Sequence, residues 1–174
     1  MNIQIELISE SDLADESFNI VIDGLKPRET YRVEMFLSDY YCINNTMSLA
    51  HDVLWKSTAT FVSDTNGIIN ISQTPSCSGS YEGISTMGLF FNAKPLTNKR
   101  KKLQNSLSKI TLLDHFFVGI KIMQGNTVIA ERTFTRHYMS SQISHQDIYG
   151  KHFQGRLFYD KKAIKTPSID YCER

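Results

Sequence analysis

Short runs in which apolar and polar residues alternate constrain this chain more than any other feature. Alternation with period 2 puts every second side chain on one face of a strand, and it recurs along the sequence. Ile3, Ile5 and Leu7 form the first run and Phe18, Ile20 and Ile22 the second; Tyr31, Val33, Met35 and Leu37 follow after the turn residues Asp23 and Gly24. Trp55, Ser57, Ala59 and Phe61 share one face of a fourth run. It ends at Asp64-Thr65-Asn66-Gly67, which predicts a hairpin into residues 68–71. Gly125-Asn126 predicts a second hairpin between residues 116–124 and 127–134, because both residue types tolerate the positive φ of a two-residue turn. The expected fold is all-β, an immunoglobulin-like antiparallel sandwich of about seven strands.

Two stretches break the alternation. Residues 74–95 are rich in Ser, Gly and Thr but carry Tyr81, Met87, Leu89 and Phe90, which predicts an ordered, irregular crossover. Residues 98–109 hold Lys99, Arg100, Lys101 and Lys102, with Leu103 and Leu107 four apart, which predicts a short exposed helix or a mobile loop.

Bulk properties exclude several classes of function. A chain of 174 residues with 41% hydrophobic content supports one core. Nineteen Lys and Arg against eighteen Asp and Glu leave no global field to gather nucleic acid or an anionic membrane. No stretch reaches the roughly 18 apolar residues of a membrane helix, and the N-terminus lacks a basic flank. The expectation is a cytoplasmic protein with neither a nucleic-acid nor a membrane partner. Cys42, Cys77 and Cys172 are an odd number at unrelated spacings, which fits reduced thiols.

Catalytic signals are sparse. There is no Gly-x-Ser-x-Gly or Gly-x-Cys-x-Gly elbow. A thiol nucleophile from Cys42 or Cys77 with one of the five histidines has no activating neighbour in sequence, so a structural or surface cysteine is the preferred reading. His145 and His152 lie seven apart without Cys-x-x-Cys or His-x-x-x-His spacing, so no metal site and no cofactor are expected. Lys99 to Lys102 lack a glycine-rich cradle and read as a solvated face.

The run Trp55 to Phe61, with Asp64 and Gly67, is followed by Gly79-Ser80-Tyr81-Glu82-Gly83 and Met87-Gly88-Leu89. Upstream stands Asp23-Gly24-Leu25-Lys26-Pro27, and downstream Pro95, Ala130, Arg136, Tyr138 and the Gly155, Leu157, Phe158 group. In order and spacing this set resembles the N-terminal domain of the acyl-CoA thioesterase and bile acid-CoA:amino acid N-acyltransferase family. Ser85 and Thr86 depart from that family, which usually has Asp and Pro there.

The resemblance implies a non-catalytic β-sandwich domain over residues 1–160 and a linker over 161–174 toward an α/β-hydrolase domain. In the family that domain supplies the nucleophilic Cys or Ser and its Asp and His partners. The implied partner is that hydrolase domain, in cis or in trans, with acyl-CoA reached only through it. A stand-alone binding or scaffold module is the alternative. Tyr81, Gly83, Met87, Gly88, Leu89, Phe90 and Arg136 are the candidate interdomain face. Tyr81, Met87, Leu89 and Phe90 could equally fill the core, and Arg136 could pair with an acid at the interface, although an exposed strand arginine is the commoner case. Gly67, Gly83 and Gly88 are expected to supply backbone freedom at turns.

Overall fold

The computed structural model describes residues 2–38, 40, 54–96 and 114–162. They form two compact units, one within Met1–Tyr138 and one within Met139–Arg174.

In the first unit the alternating runs become strands: β1 Gln4–Ile8, β2 Asn19–Asp23, β3 Thr30–Ser38 and β4 Trp55–Val62. After β4 come the two-residue strands β5 Ile69–Asn70 and β6 Ser78–Gly79, the single-turn helix α1 Gly88–Phe91 and β7 Lys94–Pro95. The long pair β8 His115–Gln124 and β9 Thr127–His137 completes the unit. One sheet runs β1-β2-β5; the other runs β6-β4-β3-β8-β9, with β7 also on β4, and the named strand pairs of both are antiparallel. Ile5, Ile20, Ile22 and Ile69 of the first sheet and Tyr31, Val33, Met35, Leu37, Ala59 and Phe61 of the second are buried in one cluster. Burial of these two inner faces against each other is what holds the sandwich together.

The Gly125-Asn126 hairpin is present, with Gln124 opposite Thr127. Gly125 has φ +60°, whereas Asn126 is not among the residues with positive φ. Glycine at the first central position is the signature of a II′-type turn.

Residues 64–67 correct the sequence reading. They make a turn, with Asp64 Oδ1 accepting from the amides of Asn66 and Ile68, each at 2.8 Å. The turn does not fold β5 back on β4: Ile69 and Asn70 pair with Ile22 and Val21 of the other sheet. Asx-turn chemistry is local and reverses the chain, but it does not choose the strand that receives it. Gly67, at φ +80°, makes the close passage possible, since a Cβ there would collide with the Leu25 carbonyl.

The second unit contains β10 Ile143–Tyr149 and β11 Gln154–Asp160, an antiparallel hairpin. Its centre carries a bidentate pair, Arg156 Nε to Asp147 Oδ1 at 2.6 Å and Nη2 to Oδ2 at 3.2 Å.

Candidate functional site

Two groups of the residues that carry the family resemblance lie at the two ends of the sandwich. At one end buried Ser63 joins the two sheets. Its Oγ donates to the Lys26 carbonyl at 2.6 Å and accepts from the Glu29 amide at 3.2 Å. The Leu25 amide donates to the Gly67 carbonyl at 3.0 Å, so the segments around Asp23 to Pro27 and Asp64 to Gly67 form one corner.

At the opposite end α1 closes the core. Leu89 is buried, and the half-buried Phe90 ring meets Phe18 and Tyr40 edge-on, with centroids 5.8 and 5.4 Å away. Tyr40 in turn packs edge-on against Trp55 and Phe116. The Phe18 amide lies 3.3 Å from Met87 Sδ. Tyr81, Met87, Leu89 and Phe90 thus pack on or within the core. Gly83, at φ +83°, pairs with buried Ser76 through two backbone hydrogen bonds of 2.8 and 2.9 Å. Gly88 is needed for another reason than the expected one: its φ is ordinary, and a Cβ would lie 2.5 Å from the Tyr81 ring. Burial pushes the Tyr81 phenol up to about 12. Ser85, one of the two departures from the family, accepts the Gly88 amide at 3.1 Å and turns the chain into α1.

Arg136 is a correction. Instead of standing exposed on β9 it is 1% exposed, with its guanidinium 5.2 Å from the Phe18 centroid. Nη1 donates to Ser9 Oγ at 2.9 Å and to the Ser11 carbonyl at 2.8 Å; Nη2 donates to the carbonyls of Leu13 and, at 2.6 Å, Glu16. Burial lowers its pKa, and the nearby charges of Asp12, Glu16 and Asp15 oppose that shift. The side chain fixes residues 9–16 of its own domain and does not reach a surface. Strand parity carries the signal, since Arg136 shares the inward face of Phe134 and Phe116 lies opposite it.

Exposed apolar side chains flank this end of the sequence motif: Ile84 is 61% exposed, Phe91 75% and Leu96 58%. The outer face of the larger sheet holds an open trough of about 270 Å³ lined by Phe36, Leu54, Phe117 and Gly119 among others. Lys56 and Lys121 lie 5.1 and 5.6 Å from the Phe36 centroid, but Glu34 and Glu131 neutralise them at 2.9 and 3.1 Å.

Nucleophilic chemistry finds no constellation among the described residues. The Cys77 thiol is exposed and no base hydrogen-bonds it. His115 bonds Asp114 at 2.6 Å, which holds that carboxyl below its usual range, and His137 lies 3.6 Å from Asp12. No three His, Cys, Asp or Glu side chains among the described residues group as metal donors, and no helix there is long and apolar enough to cross a membrane. Cys42, Cys172, His51, the Lys99 to Lys102 cluster and most of the segment 161–174 lie outside the described residues.

Residues 15–149 match the family described as acyl-CoA thioester hydrolase/BAAT N-terminal region. The chain belongs to that family. Among curated relatives, acyl-coenzyme A amino acid N-acyltransferase 1 of Mus musculus is 27% identical over 177 residues, covering 97% of this chain and 39% of the relative. Acyl-coenzyme A thioesterase 5 and the mitochondrial acyl-coenzyme A thioesterase 2 of the same organism are 22% and 21% identical, each covering 89% of this chain and 34% and 32% of the relative. The chain spans about two fifths or less of the length of the curated relatives it matches. Within the matched range, residues 25–29 and 63–67 build the corner at Ser63, and Tyr81, Met87, Leu89 and Phe90 build the closure by α1.

Proposed function

We propose that this chain is the non-catalytic sandwich domain of an acyl-CoA thioester-cleaving or acyl-transferring protein, and that it acts by packing against an α/β-hydrolase domain. The observation that carries the reading is the family match, which covers residues 15–149 and is to the N-terminal region alone. The hydrolase domain supplies the nucleophile, its base and the oxyanion donors, and acyl-CoA is engaged only through it. Residues 81–91 form part of the docking face, a role supported by the exposure of Ile84 and Phe91 beside a closure whose inner side is fully used. Tyr81, Met87, Gly88 and Leu89 shape that face from beneath.

The test is release of free coenzyme A from short, medium and long acyl-CoA by the purified chain. The expected outcome is no enzymatic turnover, unchanged in Cys42→Ala and Cys77→Ala. Turnover near roughly 1 per second, within the ordinary enzyme range, that vanished in either variant would replace this reading with a thiol enzyme.

A further inference from the structure

The hairpin of β10 and β11 belongs to neither sheet of the sandwich. A two-stranded hairpin is marginal in water on its own, and this one leaves Tyr149, Phe158 and Tyr159 between 40% and 71% exposed. Its register identifies the backbone groups that face outward. Lys161 N–H donates to the Gln142 carbonyl at 2.8 Å and Gly150 N–H to the Phe153 carbonyl at 2.9 Å. With Ile143 opposite Asp160 and Tyr149 opposite Gln154, residues 144, 146 and 148 bond across the hairpin. The amides of His145 and Asp147 on β10, and of Arg156 and Phe158 on β11, point away from it.

The two outer edges, which pair with no other strand among the described residues, differ in chemistry. The middle of β10 reads Ser-His-Gln-Asp, polar on both faces, which suits a strand left at an edge. β11 contains Leu157-Phe158-Tyr159, apolar on both faces, which suits a strand inside a sheet covered on both sides. The family match ends at residue 149, the last residue of β10, so β11 lies past the matched stretch. It lies within the alignment to mouse N-acyltransferase 1, however, which covers 97% of this chain and leaves about three fifths of the relative outside.

We infer that β11 is an interior strand of a second sheet, and that the hydrolase domain supplies the next strand along its outward edge. The inference rests on the proposed function and adds where the two domains join: the hairpin is the first part of the partner's sheet, and the sandwich ends before it.

Amide hydrogen exchange tests this, first on the chain alone and then on a chimera in which residues 1–160 are followed by the remaining part of mouse N-acyltransferase 1. In the monomeric chain alone, the hairpin amides should exchange far faster than those of β3 and β8. In the chimera, Arg156 and Phe158 should gain at least about tenfold protection while His145 and Asp147 stay open. Phe158→Pro, which removes one outward amide, should abolish the gain at Arg156. A hairpin already as protected as the sandwich in the monomeric chain would overturn the inference, whether or not the chimera folds. So would protection of Arg156 and Phe158 that appears only as the chain self-associates. Protection in the chimera confined to residues 81–96 would overturn it but leave the proposed function standing, whereas a chimera protected in neither region would remove both.

Discussion

Arg136 is a charged side chain held inside the domain. It is buried, and it satisfies four acceptors on residues 9–16. Lysine keeps the charge but not the planar fork, so Arg136→Lys should destabilise by about 2–3 kcal/mol in a urea series. A loss below about 0.5 kcal/mol, the range of ordinary surface substitutions, would place the guanidinium outside the core. Gly88 is limited by space. Gly88→Ala drives a Cβ into the Tyr81 ring at 2.5 Å and should cost about 1–3 kcal/mol through overpacking. Removing that ring as well, in the Tyr81→Ala background, should leave the glycine substitution nearly neutral, a coupling that a double-mutant cycle measures.

Among the elements, the strands were legible and their partners less so. Parity alone places Tyr31, Val33, Met35 and Leu37 on the inner face of β3, and all four are buried. It also places Arg136 inward beside Phe134, a signal that the general preference of arginine for the surface overrode. The turn at residues 64–67 is visible as Asp-x-Asn-Gly, yet its exit into the other sheet depends on Val21 and Ile22, more than forty residues upstream. No local pattern encodes that choice. α1 is not legible in the sequence because a single turn packed by Leu89 and Phe90 has too few residues to display helical periodicity. At the hairpin, Arg156 holds the Asp147 carboxyl below its ordinary range. A depressed carboxyl stabilises the folded hairpin above about pH 4 and loses that contribution as pH falls through the lowered value. In a carboxyl NMR titration, Arg156→Ala should return Asp147 to ordinary behaviour; an unchanged titration would mean that the pair does not form.

For the whole molecule, the sandwich depends on large rings between its sheets, and Trp55, 8% exposed and edge-on to Tyr40, anchors the end that α1 covers. Trp55→Ala should cost about 3–5 kcal/mol in a denaturation series. A loss well under 1 kcal/mol would place the indole outside the core. The position of Arg136 also orders events during synthesis. Its bonds to residues 9–16 span 120 to 127 positions, so at ordinary translation rates the N-terminal segment emerges roughly 6–25 seconds before its anchor exists. Nascent chains arrested before residue 136 leaves the ribosome should be cut readily by protease within residues 9–16. Chains arrested well past it should resist, and equal cleavage of the two would show that the segment is secured by some earlier contact.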